Sequence, residues 1–483
     1  MKPKRVQALL ALSLLLSPGW AFASPASTPE AYARAAIAAC NAGDTAKLQS
    51  LMESSYGPKA TAAAAPAVRA PSRVRMCNTI GGWDLVSVDA DTPALYEATY
   101  AAHNLPVLRS QQHIEFDGSG KIVADYSKGS AGFKHVPVLS DTALAANFDR
   151  WFGDAANHGE YSGVVYVEHN GKPVLNKAYA SSKYPGVVPA GVQTRFPIAS
   201  MAKMFTAVSV AQLVERGKLR YDETLAKALP SYRGAGADRI KISQLLSHTS
   251  GVDDFFGDSF EAFKGDLPDN DSHLRFIEPK PLVFAPGTSW RYSNGGFVLL
   301  AAIVERASGQ PFYDYVAQHI FKPAGMTHTS YDALGKAAPG VAVLYGGTGP
   351  DDYDFKPYTE TRIIRGTGAG NAVSTVGDMA NFVHALLAGK LVGKHTVDLL
   401  FTPHGESPDI APDAYGYGFE LARRNGKIIP GHNGGMPFFA GGLRIMDGGK
   451  WIVVAFNGIG PQVTALVFPV EYLQTMVTQT PAE

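Results

Sequence analysis

Ser200-Met201-Ala202-Lys203 places a hydroxyl and an amine three residues apart at the head of the apolar run Met204-Phe205-Thr206-Ala207-Val208. If a helix begins at Ser200, both side chains lie on one face and Lys203 reaches the Ser200 hydroxyl. A serine hydroxyl is a weak nucleophile until a neighbouring base takes its proton. At a helix N-terminus the Ser200 amide would also be free to receive a developing oxyanion. The pattern occurs once in the chain. A four-residue pattern of this kind is common by chance, so its context must decide.

Two further clusters supply that context. The first is Trp290-Arg291-Tyr292-Ser293-Asn294-Gly295-Gly296. Beside a cationic Lys203, the Tyr292 phenol would have a lowered pKa and act as base toward Ser200, then as acid toward the leaving group. Asn294 is placed to hold the lysine and a substrate amide. Ser-Asn-Gly-Gly is also turn chemistry, and the two readings are compatible. The second cluster is Pro430-Gly431-His432-Asn433-Gly434-Gly435, between two strand candidates. A glycine-rich strand edge lets backbone approach a substrate. Gly435 then offers a second oxyanion amide opposite that of Ser200, and His432 lines the cleft as a donor or a partial cation.

Together these residues resemble the penicillin-recognising serine hydrolases: class C β-lactamases, D-alanyl-D-alanine carboxypeptidases, D-aminopeptidases and related esterases. The resemblance rests on SxxK at Ser200-Lys203, YxN at Tyr292-Asn294 and HxG at His432-Gly434, in family order. Leu245-Leu246-Ser247-His248-Thr249-Ser250-Gly251, Phe284-Ala285-Pro286-Gly287 and Gly325-Met326 look like the family too. It implies an acyl-enzyme on Ser200 and no cofactor, with a small-molecule or peptide substrate, D-amino-acid peptides or peptidoglycan fragments favoured. Carboxylic esters, weak β-lactam turnover and a catalytically silent binding module are the alternatives. Many β-lactamases carry lysine where His432 stands; a histidine is mostly neutral at pH 7, which lowers the expectation of efficient penicillin turnover.

The elements that must position these groups follow from periodicity. Strand candidates at Gly163–His169 and Pro173–Ala180, joined by an Asn170-Gly171 turn, recur at the far end at Lys427–Pro430, Ala440–Asp447 and Trp451–Asn457, before a closing helix from about Val463 to Val477. Helices fill the interval. One antiparallel sheet assembled from both chain ends, with a mostly helical subdomain inserted, is therefore expected over residues 139–478, the site lying in the cleft between them. This is the β-lactamase-like fold that the resemblance implies.

Upstream, residues 24–138 read as a small α+β accessory domain. Helices from Thr28 and after Gly43-Asp44 precede strands at Trp83–Val88, Ala94–Ala101, Val107–Phe116 and Ile122–Tyr126, with Lys59–Pro71 expected to be a loop and a linker near Ser130–Leu139. The element order loosely resembles nuclear-transport-factor-like domains. Cys40 and Cys77 either pair or lie apart as buried thiols.

A chain of 483 residues exceeds one ordinary core, which fits two domains. Its formal net charge of zero lacks the basic footprint of a nucleic-acid partner. Residues 1–23, with Lys2, Lys4 and Arg5 before a short apolar run and Ala21-Phe22-Ala23 before Ser24, read as an export signal rather than a membrane span. A periplasmic or secreted protein is expected; its oligomeric state is left open. No metal-ligand spacing appears. The acidic stretch from Asp253 to Asp271 reads as a solvated loop, with metal binding a minor reading, and Gly366, Gly368 and Gly370 only superficially mimic a dinucleotide loop.

Overall fold

The computed structural model describes residues 28–128, 136–181, 183, 191–331, 340–346, 356–358, 365–406, 413–436, 438–459 and 464–479. The export-signal residues and most of the expected linker lie outside them.

The first helix, α1 (Pro29–Asn41), starts as its sequence dictates: the Thr28 hydroxyl accepts from the Ala31 amide, and Pro29 occupies the first turn. Asp44 caps α2 (Thr45–Ser55) in the same way. The expected loop at Lys59–Pro71 is instead helical, forming α3 (Pro58–Ala63) and the first turns of α4 (Pro66–Ile80). Pro58 and Pro66 sit where helices tolerate proline, and alanine is the strongest helix former, so composition that looked like a linker initiates two helices. Of the prolines in this stretch, Pro71 lies inside a helix. Four strands follow as an antiparallel meander: β1 (Trp83–Asp91), β2 (Leu95–Ala102), β3 (Arg109–Phe116) and β4 (Ile122–Lys128). Cys40 on α1 and Cys77 on α4 are joined as a disulfide.

The second body is built on an eight-stranded antiparallel sheet. Its early strands are β5 (Gly163–His169) and β6 (Lys172–Tyr179), and its late ones are β7 (Gly405–Glu406), β8 (Ala414–Tyr415), β9 (Glu420–Arg424), β10 (Lys427–Met436), β11 (Phe439–Met446) and β12 (Trp451–Asn457). The order is β7-β8-β9-β10-β11-β12-β5-β6, so the two chain ends meet where β12 pairs with β5. Every residue of β12 is buried, because both faces of the sheet are covered. Val164, Tyr166, Ile452 and Val454 point into the front core with the inserted helices. Val165, Val167 and Val453 point into a back core with Phe148 and Trp151 of α5 (Asp141–Asn157) and with Leu466 and Leu473 of the C-terminal helix Thr464–Thr478.

Two inserted helices carry the site. In α6 (Lys203–Glu215) the run Lys203–Leu213 is buried on all sides, as a core helix with no polar face must be. The other is α7 (Asn294–Ser308), capped by Ser293, whose hydroxyl accepts from the Gly296 amide. No helix among the described residues is long and apolar enough to cross a membrane.

Candidate active site

Ser200 lies in a 3-10 turn, Ala199–Ala202, that runs directly into α6. The turn is entered through backbone strain: Ala199 has φ of 46°, a left-handed conformation costing a non-glycine residue about 1–2 kcal/mol. Neighbouring backbone holds it there. The Ile198 amide donates to the Ala372 carbonyl at 2.8 Å, and the Asn371 amide to the Ala199 carbonyl at 3.0 Å. Ser200 is left partly exposed at the cleft while Lys203, one turn on, is fully buried.

Lys203 Nζ stands 3.2 Å from Ser200 Oγ, 2.6 Å from Asn294 Oδ1 and 2.7 Å from the Ala369 carbonyl. It also lies 4.7 Å from the Tyr292 ring centroid. The Tyr292 phenol in turn lies beside the Ser200 side chain. Ser200, Lys203, Tyr292 and Asn294, far apart in the chain, thus converge on one point.

The electrostatics reverse one expectation. Tyr292 does not gain acidity from Lys203: burial pushes its phenol well above the usual value, against a weaker opposing effect of the neighbouring Ser200 side chain. Burial instead lowers Lys203 to about 7, with Asp254 and Glu420 pulling back upward. The group that can exist as a neutral base near pH 7 is therefore the amine.

His432 also departs from its expected role. It is 1% exposed, and it lies in β10 just past Gly431, the last residue paired with β9, so from His432 onward the strand is paired on one side only, with β11. Its Nε2 is 2.8 Å from the Tyr415 hydroxyl and its Nδ1 2.6 Å from the Asn433 carbonyl. A carbonyl only accepts, so Nδ1 carries the proton and Nε2 accepts from Tyr415. Burial lowers the ring to about 4, outweighing the nearby Glu420 carboxylate. His432 is a neutral, fully engaged structural member, not a partial cation.

Gly434 and Gly435 divide their labour. A Cβ on Gly434 would sit 2.4 Å from the Ile198 carbonyl oxygen, so only glycine lets β10 pack against the Ser200 turn. Gly435, one residue on, is exposed and has nothing within 4 Å of such a Cβ.

Several contributors lay outside the three motifs. The Gly366–Asn371 segment, which looked like a stray dinucleotide pattern, wraps the site: Ala369 accepts from Lys203, and the Gly368 carbonyl accepts from Thr206 Oγ1 at 2.7 Å. Asp254, expected in a solvated loop, receives Asn294 Nδ2 at 2.8 Å and the Asn294 amide at 3.1 Å. His248, also left-handed at φ of 62°, accepts from the Ser293 amide at 3.1 Å through Nδ1. Tyr415 had no motif to mark it. Among the described residues, no group of three or more histidine, cysteine or acidic side chains is arranged to hold a metal ion.

Residues 148–466 match the family model described as Beta-lactamase. The chain belongs to the beta-lactamase family. Within this family it is 30% identical over 302 residues to a putative penicillin-binding protein of Bacillus subtilis, covering 62% of this chain and 71% of that one. It is 31% identical over 247 residues to the esterase EstB of Burkholderia gladioli, covering 48% and 62% respectively. Among solved structures, a penicillin-binding protein from Bacillus halodurans superposes with a TM-score of 0.59 at 26% identity, over 69% of this chain and 99% of that one. A putative D-alanyl-D-alanine carboxypeptidase is also a relative, and a D-amino acid amidase shares the beta-lactamase fold.

Proposed function

We propose that the chain is an exported serine hydrolase that cleaves amide or ester bonds through an acyl-enzyme on Ser200. The observation that carries this reading is the approach of the buried Lys203 amine to within 3.2 Å of Ser200 Oγ. Neutral Lys203 takes the Ser200 proton as Oγ attacks the carbonyl, and the Tyr292 phenol relays that proton to the leaving group. The amides of Ser200 and Gly435 receive the tetrahedral oxyanion. Water, deprotonated by the same pair, then releases the acyl group. Residues 24–138 act as an accessory module, and residues 1–23 as the signal removed on export.

Short D-amino-acid peptides or amides are the favoured substrates. Carboxylic esters are the second reading, favoured by His432: with both nitrogens engaged, it offers no cation to a substrate carboxylate. The test is incubation of the mature protein with D-peptides, short-chain esters and a chromogenic cephalosporin, followed by rates and intact mass. An acyl or phosphonyl adduct on the native protein, absent from Ser200→Ala, is expected. Undiminished turnover by Ser200→Ala would refute the nucleophile, and no adduct with any serine-reactive phosphonate would favour a silent binding module.

A further inference from the structure

The N-terminal elements enclose a cavity of about 210 Å³ between the meander and the helices α1 and α4, remote in sequence from every residue of the Ser200 site. Its walls come from strand alternation. Ser110, Gln112 and Ile114 lie on one face of β3. The neighbouring β4 places Ser127 opposite Gln112 and Asp125 opposite Ile114. Helices supply the other wall with Ala36, Ile37 and Met76, and Leu108 closes it.

One end of this cavity is polar and cationic. Arg73 lines it and donates through Nη1 and Nη2 to both oxygens of the buried Asp125, at 2.9 and 2.6 Å. Asp125 also accepts from Tyr32, Tyr56 and Gln112, so its charge is fully satisfied. A second guanidinium, Arg69, donates to the Asp125 carbonyl at 2.7 Å. Two guanidinium groups thus lie about the one Asp125 carboxylate, one positive charge in excess, and of the two Arg73 lines the cavity. Arg73 spends two of its five N–H groups on Asp125 and keeps 23% of its side chain exposed. The Ser110 and Ser127 hydroxyls make no hydrogen bond among the described residues and face the same space.

We propose that this cavity binds a short-chain amphiphilic carboxylate, its hydrocarbon arm against Ala36, Ile37, Met76 and Leu108 and its carboxylate at Arg73, Ser110 and Ser127. Water satisfies the polar end alone, since an apolar wall offers it no partners. The volume is below the roughly 300–1,000 Å³ of sites for drug-sized molecules, which selects a small ligand. An arm along the apolar wall gains about fourfold in affinity per methylene until the cavity is filled. The excess positive charge selects an anionic over a cationic head. The site stands independently of the hydrolase reading.

The test is calorimetric titration of the full mature protein, its Ser200 first blocked with a phosphonate, using sodium hexanoate, sodium octanoate and octylamine. Octanoate is expected to bind one to one, about fifteenfold tighter than hexanoate and at least tenfold tighter than octylamine. Ala36→Phe, which fills the cavity, and Ser127→Trp, at its rim on an exposed strand position, should each weaken octanoate at least tenfold while unblocked protein keeps its turnover of ester or amide. No octanoate binding, equal binding of octylamine, or octanoate affinity unchanged in the variants overturns the proposal. If Ala36→Phe fails to fold, Ser127→Trp decides alone.

Discussion

At the scale of single residues, the site is governed by which side chain tolerates burial as a neutral group. Burial penalises charge, so it moves a lysine down and a tyrosine up, and the two effects leave Lys203 titrating near neutrality and Tyr292 far above it. If the neutral amine is the base, acylation rises with pH as Lys203 loses its proton, with a midpoint near 7; an ordinary lysine would place it above 10. A pH profile of phosphonate labelling checks this. Because the Asp254 carboxylate raises Lys203, Asp254→Asn should move the midpoint toward acid while lowering the plateau through the loss of support for Asn294. A midpoint that stays put would remove Asp254 from the electrostatics. His432, lowered to about 4, contributes no inflection between pH 5 and 8. Its orientation depends instead on Tyr415, so Tyr415→Phe should cost about 1 kcal/mol, near fivefold in kcat/KM, without shifting the profile. An unchanged kcat/KM would make the Tyr415 hydroxyl dispensable.

At the scale of elements, catalysis depends on how closely a strand approaches a turn. Gly434→Ala drives a methyl group into the Ile198 carbonyl, so β10 must retreat from the Ser200 turn. We expect a stability loss of about 1–3 kcal/mol and labelling slowed by about 100-fold. The adjacent Gly435→Ala meets open space and should leave the urea midpoint unchanged. Equal effects from both would show that the close approach is not what the glycine serves. Legibility divides along the same line. Periodicity and turn chemistry sufficed for the β5–β6 hairpin, where Asn170 and Gly171 take the left-handed angles that an Asn-Gly turn demands. Motif spacing likewise picked out Ser200, Lys203, Tyr292 and Asn294. The Ala369 carbonyl, the strained Ala199 backbone and the Tyr415 hydroxyl were invisible. A backbone carbonyl has no residue type to recognise, and Tyr415 meets His432 only through the pairing of β8, β9 and β10. Asp254 was hidden by acidic neighbours that resemble a solvated run, and α3 by alanines and prolines that resemble a linker.

At the scale of the whole molecule, the N-terminal elements are not strung loosely beside the hydrolase sheet. Ile80, Ala102, Leu105 and Leu108 belong to the same apolar cluster as Phe148, Trp151 and Val165 behind that sheet. Sequence reading treats residues 24–138 as separable because periodicity lapses near Ser130–Leu139, yet a shared core forms only once both parts are folded. The joint also contains a buried ion pair: Arg75 on α4 donates to Glu160 Oε2 through Nε at 3.0 Å and Nη2 at 2.9 Å, and the Glu160 side chain is only 5% exposed. Removing one partner of such a pair strands the other charge in a poorly solvated place, at a cost of about 3–5 kcal/mol. Arg75→Met should therefore lower the melting temperature markedly, while turnover per folded molecule stays constant because Arg75 lies far in the chain from Ser200. The shape of the transition carries the larger point. With one core spanning both parts, calorimetry should record a single cooperative transition in wild type and variant alike. Two resolved transitions, with only the lower one shifted by Arg75→Met, would mean that the N-terminal elements fold and melt on their own, and that the apolar contact behind the sheet contributes little to holding the two together.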